Sequence, residues 1–150
     1  MSNAEASAER TRPNFKLPIA AAIVSLVGLA DSVYLTVHHL TAEPVPCSII
    51  SGCETVLTSS YAEISGIPLA AFGAAAYFSA FSLALLTAFG NRFMWRLFGV
   101  QTMLMAAFTG WLIYLQAEVI GAFCQFCLLS AATSLTLLGF FVVSLLINRK

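Results

Sequence analysis

Long apolar stretches alternate with short polar connections along most of this chain. A helix needs roughly 20 predominantly apolar residues to cross a bilayer, and four stretches approach or reach that length. We therefore predict membrane-spanning helices at about residues 17–40, 69–89, 97–117 and 124–147. The predicted fold class is an all-α integral membrane protein, a four-transmembrane-helix bundle.

The segments outside these spans are polar or contain helix breakers. Residues 1–16 are polar and predict a disordered cytoplasmic tail, which leaves residues 17–150 as a single four-helix transmembrane domain. A cleaved signal peptide is the rival interpretation of the first span, but its apolar core is normally about 7–15 residues long, so we expect an anchor that stays. Prolines and glycines interrupt the outward loop 41–68, where residues 54–61 predict a short helix at the membrane interface.

Composition and charge support a membrane location and indicate an orientation. The chain is 59% hydrophobic and 9% charged, with zero net charge, so it lacks the basic surface that nucleic acid requires. The basic residues fall in the N-terminal tail, the connection 90–96 and the C-terminus, whereas the acidic residues of the connections fall in the other two. The positive-inside rule then predicts cytoplasmic termini and an outward-facing loop 41–68.

Four cysteines form two close pairs, Cys47 with Cys53 and Cys124 with Cys127. Two predicted spans separate the pairs, so both face the non-cytoplasmic side, where disulfides persist. Cys124 and Cys127 share one face at the start of the last span, and a helix N-terminus favours a thiolate. This spacing predicts a redox dithiol, although it also fits two buried cysteines that act as small hydrophobic residues.

Together the pairs suggest a relay, with a mobile dithiol in a loop and a fixed one on a helix. Cys127 is expected about one helical turn, roughly 5 Å, deeper than Cys124, and so nearer to an apolar acceptor dissolved in lipid. Three alternatives remain open at this point: a structural disulfide in each pair, a soft-metal-binding or transport membrane protein, and a membrane scaffold with inert disulfides.

Several short motifs, spread over residues 17–147, resemble the vitamin K epoxide reductase family. Ser59 stands six residues after the second loop cysteine. The other motifs are Gly28…Asp31-Ser32-x-Tyr34-Leu35, Gly66-Ile67-Pro68 with Phe72-Gly73, and the two cysteine pairs in this order. The resemblance implies a thiol:quinone oxidoreductase of the bacterial disulfide-forming type in the cytoplasmic (inner) membrane, with ubiquinone or menaquinone as electron acceptor.

The same resemblance implies a role for each cysteine. Cys47 would exchange with a thioredoxin-like dithiol protein on the outer side, and Cys53 would pass electrons to Cys124 through a transient disulfide. Cys127 would attack the quinone. Because the chain ends at Lys150, without a thioredoxin-like domain, we expect the partner to be a separate protein.

Ser59 is implied to shape the quinone site, and Phe72 is a candidate to form its wall. Two departures from the animal members concern the same site: Ala131 stands where they have a tyrosine, and Leu69 aligns with their asparagine. We therefore expect neither vitamin K epoxide reduction nor anticoagulant binding.

Three ionisable residues of the first span need separate interpretation. Asp31 lies within the span, where it could deliver protons to a quinone or pair with Ser32 or a neighbouring helix for folding alone. His38 and His39 close the span, and adjacent side chains on a helix do not share a face, so we expect interfacial solvation and not a joint metal site.

Overall fold

The computed structural model describes residues 15–149. Its elements, in chain order, are α1 (Lys16–Thr41), α2 (Cys53–Leu57), β1 (Glu63–Ile64), β2 (Ile67–Pro68), α3 (Leu69–Ala88), α4 (Arg92–Tyr114), a π-helical turn (Leu115–Ile120) and α5 (Gln125–Asn148). The predicted tail 1–16 lies mostly outside the described residues, but Lys16 already begins α1.

Four helices within residues 15–149 are long and apolar enough to cross a membrane: α1, α3, α4 with its π-helical turn, and α5. They confirm the predicted fold class. α1 packs mainly against α3 and also against α5, and α4 packs against α3 and α5, which closes a four-helix bundle. Many large apolar side chains on the helices are exposed in the isolated chain, as expected of surfaces that face lipid.

Small residues allow α1 and α3 to approach each other closely. Ala21, Ala80 and Ala84 are buried in the core around Tyr77. Gly28 lies so close to the Tyr77 ring that a Cβ atom there would overlap it. Close backbone approach through small residues is typical of helix pairs in membranes, where van der Waals packing replaces the hydrophobic effect.

The third spanning helix is longer at both ends than the predicted span 97–117. It begins at Arg92, because the Asn91 side chain caps it by accepting a hydrogen bond from the Phe93 N–H at 3.1 Å. At the other end, Glu118–Ile120, which lie between the predicted spans 97–117 and 124–147, continue the helix as part of the π-helical turn. Gly121, with φ of 69°, ends that turn in the left-handed conformation.

The loop between α1 and α3 contains more structure than predicted. Its short helix covers Cys53–Leu57 and not the whole of 54–61. An unpredicted antiparallel hairpin follows, in which Ile64 pairs with Ile67. Ser65 and Gly66 both have positive φ, as a two-residue type I′ turn requires, and this turn shortens the segment available to the helix.

Candidate redox site

The structure brings the two cysteine pairs together in one buried cluster. Cys47 and Cys53 form a disulfide, whereas Cys124 and Cys127 are free thiols. Cys53, the first residue of α2, is 1% exposed, and Cys124, immediately before α5, is 0% exposed. These two residues and Val56 form the cluster, and Cys47 and Cys127 pack against it. Cys53 of the loop pair and Cys124 of the helix pair are therefore buried neighbours.

Two contacts hold the disulfide loop against the start of α5. Gly52 packs on the preceding segment so tightly that a Cβ atom would lie 2.5 Å from the Phe123 carbonyl oxygen and 2.9 Å from its nitrogen. The Ile49 N–H donates a hydrogen bond of 3.1 Å to the Gln125 side-chain oxygen. Since Gln125 lies between the two helix cysteines, this bond ties the two pairs directly to each other.

Cys124 is the N-cap of α5, and its sulfur accepts a hydrogen bond from the Cys127 N–H at 3.4 Å. It precedes Gln125, the first residue of the spanning helix. The pKa of the Cys124 thiol is lowered to about 7, mainly because the Cys127 side chain donates a hydrogen bond to it, and despite burial, which opposes the shift. Backbone N–H groups of Cys127 and Phe126 contribute further. The N-terminus of α5 therefore stabilises a thiolate.

A cavity of about 430 Å³ lies within the bundle beside this cluster. Its size is within the range of small-molecule sites, roughly 300–1,000 Å³. The wall is mostly apolar, with Leu104, Met105 and Phe108 of α4 among its residues. All four cysteines lie within the described residues, and of these Cys127 borders the cavity. The thiol nearest to an apolar ligand in the bundle is therefore Cys127.

The two other residues predicted for the quinone site, Ser59 and Phe72, also border this cavity. The Ser59 hydroxyl donates a hydrogen bond of 2.7 Å to the Val56 carbonyl, which links it to the cysteine cluster. Leu69 and Ala131, the positions that depart from the animal members, lie on the same wall. Apolar side chains thus occupy both of these wall positions.

Sequence analysis did not single out Gln116 or Tyr77, two polar residues of the same wall. The Gln116 side-chain oxygen accepts a hydrogen bond of 3.0 Å from the Cys124 N–H, and so holds the backbone of this cysteine. The Tyr77 hydroxyl bonds to the Ser130 carbonyl at 2.6 Å and to the Thr133 hydroxyl at 2.7 Å. Each is an isolated polar residue within a predicted apolar span, and this is the feature of the sequence that could have identified it.

Asp31 borders the cavity and is 7% exposed. Neither of its carboxylate oxygens has a hydrogen-bond partner among the described residues, so the expected pairing with Ser32 or a neighbouring helix does not occur there. The two histidines at the end of α1 have separate partners. His39 lies 2.8 Å from the Glu63 carboxylate, and His38 lies 4.0 Å from that of Glu43.

Within residues 15–149, no group of three or more His, Cys, Asp or Glu side chains is arranged to hold a metal ion. The soft-metal interpretation therefore gains no support from this part of the chain.

The sequence matches the vitamin K epoxide reductase family over residues 19–142. The chain belongs to the vitamin K epoxide reductase family. It is also 32% identical over 120 residues to "Thiol-disulfide oxidoreductase LTO1" of Arabidopsis thaliana, an alignment that covers 73% of this chain and 31% of that protein. The chain thus spans about a third of the length of this relative.

Membership of the vitamin K epoxide reductase family and the similarity to this relative both support an assignment as an oxidoreductase with a disulfide-related redox role. The four apolar helices indicate a multi-pass membrane protein of this family.

Proposed function

We propose that this protein oxidises a thioredoxin-fold dithiol partner and passes the two electrons through its four cysteines to a membrane quinone, in support of disulfide formation in exported proteins. The observation that carries the proposal is the continuity of the site: Cys53 and Cys124 share one buried cluster, and Cys127 borders an apolar cavity next to it. Thiol–disulfide exchange requires the attacking sulfur to reach the disulfide, and two cysteines in one cluster are placed for that approach.

Each exchange step conserves electrons. A partner thiolate attacks Cys47 and breaks the Cys47–Cys53 disulfide; the second partner thiol then closes the partner's own disulfide and releases Cys47. Cys53 next attacks Cys124 of an oxidised Cys124–Cys127 pair, which frees Cys127 as a thiolate. Cys47 then attacks Cys53 of this mixed disulfide, which releases Cys124 as a thiolate and re-forms the loop disulfide. The helix pair is left as two thiols that carry the two electrons.

Cys127 and Cys124 perform the second half of the reaction. Oxidation of the two thiols to the Cys124–Cys127 disulfide would release two electrons and two protons, which a quinone in the cavity beside Cys127 would take up. The lowered pKa of Cys124 favours the thiolate that closes this bond. The net reaction converts a dithiol and a quinone into a disulfide and a quinol. A loop disulfide together with free helix thiols is the form that is ready to reduce the quinone.

The shape and lining of the cavity support a quinone as the acceptor. Leucine, methionine and phenylalanine side chains of the wall suit a flat, largely apolar ring, and the Cys127 thiol borders the same cavity. The distribution of basic residues supports cytoplasmic termini and cysteines on the external or periplasmic side of the cytoplasmic membrane. The acceptor is then ubiquinone or menaquinone, and the partner is an exported dithiol protein.

Two experiments test this function. Purified protein, a reduced thioredoxin-fold substrate and a ubiquinone analogue should give quinone reduction, followed by absorbance, and the Cys127→Ala variant should abolish it. In the same variant, digestion and mass spectrometry without reductant should detect a Cys53–Cys124 crosslink. Unchanged quinone reduction by Cys127→Ala would refute the proposal.

A further inference from the structure

Asp31 is a carboxylic acid in the wall of the cavity that Cys127 borders. It is more than nine-tenths buried, and no hydrogen-bond partner satisfies either of its oxygens among the described residues. Buried polar groups normally have partners, and an ionisable group inside a membrane span is costly. A buried acid without a hydrogen-bond partner, in the wall of a ligand-sized cavity, points to a role toward the ligand.

Three other protic side chains on the cavity wall are already engaged within the protein. The Tyr77 hydroxyl bonds to Ser130 and Thr133, and the Ser59 hydroxyl donates to the Val56 carbonyl. His39 is paired with Glu63 at 2.8 Å. Asp31 differs from these three side chains because neither of its oxygens forms a hydrogen bond within the described residues.

The position of Asp31 relative to the thiols fits a transfer of protons. Asp31 comes from α1 and Cys127 from α5, so the two approach one cavity from different helices. The carboxylate is close enough to interact electrostatically with Cys127 and Cys124. An unpaired charge at this buried position would be costly, so the site favours the acid, which carries a proton that it can donate.

We propose that Asp31 donates a proton to a carbonyl oxygen of the quinone while Cys127 supplies the electrons, an inference that rests on the proposed function. Two electrons leave the Cys124 and Cys127 thiols as their disulfide forms, and the quinone is reduced to the quinol. The thiols release two protons and the two quinol oxygens gain two. Asp31 gives up one proton and regains one that the thiols release, so it ends in its starting form.

The test separates binding from chemistry. Protein with reduced Cys124 and Cys127, in lipid nanodiscs, is mixed with a ubiquinone analogue, and absorbance gives the single-turnover rate. We expect Asp31→Asn to slow this step by about 10²–10⁴-fold, as loss of a general acid does, with quinone affinity changed by less than about threefold. Affinity is measured separately in the Cys127→Ala background, with and without Asp31→Asn, so that no turnover occurs.

Ser25→Ala is the matched control, because Ser25 is also a buried polar residue of α1 but bonds to the Ala21 carbonyl, outside the cavity wall. It should keep the wild-type rate. Asp31→Glu retains the acid and should be faster than Asp31→Asn. In Asp31→Ala, added formate should restore part of the rate.

Each remaining outcome refutes a specific claim. An Asp31→Asn rate within about threefold of wild type, or a rate loss explained entirely by weaker quinone binding, overturns proton donation by Asp31, since general acids contribute far more. If Asp31→Asn does not fold, an absence of formate rescue in Asp31→Ala has the same meaning. If wild-type protein does not reduce the quinone at all, the proposed function itself is wrong.

Discussion

Replacement of Gly52 by alanine tests whether contact between the loop and the start of α5 controls electron transfer. Gly52 has φ of −92°, a conformation open to alanine, so the substitution adds no backbone strain. Its effect is steric. The new Cβ atom would lie 2.5 Å from the Phe123 carbonyl oxygen, and ordinary contacts begin at 3.4 Å, so the two backbones must separate by about 0.9 Å.

This displacement acts directly on the exchanging sulfurs. Gly52 adjoins Cys53, and Phe123 adjoins Cys124, so the separation moves the two cysteines apart. A misplacement of about 1 Å can slow a reaction about 10²-fold. Overpacking of a well-packed contact costs about 1–3 kcal/mol of stability. We expect Gly52→Ala to form the Cys53–Cys124 disulfide about 10–100-fold more slowly, while quinone affinity stays unchanged because the cavity is not altered.

The assay measures the initial rate of Cys53–Cys124 crosslinking in the Cys127→Ala background, by digestion and mass spectrometry. Gly139→Ala is the control, because a Cβ atom at Gly139 meets no atom within 4 Å. An equal crosslinking rate for Gly52→Ala and Gly139→Ala would show that the Gly52 contact does not determine exchange.

Three further predictions concern the surroundings of Cys124 and Tyr77. Gln116→Leu removes the acceptor of the buried Cys124 N–H and should cost about 1–3 kcal/mol in thermal unfolding, whereas Gln116→Glu keeps an acceptor and should cost less. Titration of the reduced protein, followed by ultraviolet thiolate absorbance, should show a step near pH 7 that Cys124→Ser removes. The Cys124 pKa is lowered from its ordinary value of 9.0 to about 7, so the thiolate contributes fully to the stability of the reduced fold above pH 9.0. This contribution is lost as the pH falls through about 7. Gly28→Ala places a Cβ atom on the Tyr77 ring and should destabilise the protein by about 1–3 kcal/mol in the same unfolding assay.

Each of these has a result that contradicts it. Equal unfolding midpoints for Gln116→Leu and Gln116→Glu would remove the role assigned to the Cys124 N–H bond. A titration step that survives in Cys124→Ser belongs to another group. Wild-type stability in Gly28→Ala would mean that the α1–α3 contact can relax without loss.

The amino-acid sequence was enough to predict the four-helix fold, because a segment that crosses lipid must satisfy its backbone hydrogen bonds internally, and long apolar stretches therefore predict helices. It also indicated the family, through the spacing of the cysteines and Ser59. Local boundaries were less predictable. The cap at Asn91 extended α4, and the turn at Ser65 and Gly66 formed a hairpin where the apolar pattern indicated only a loop.

The candidate site, in contrast, is assembled by packing between elements that lie far apart in the sequence. Gly52 packs on Phe123, and Cys53 is buried with Cys124, because a loop folds back onto the start of a distant helix. The lack of a hydrogen-bond partner for the Asp31 carboxyl group among residues 15–149 is equally invisible in the sequence, which left pairing with a neighbour open as an alternative to a proton-transfer role. The periodicity of apolar residues indicates which residues share one face of a helix. Contacts between separate helices depend on side-chain packing across the bundle. That packing places Asp31 and Cys127 at one cavity.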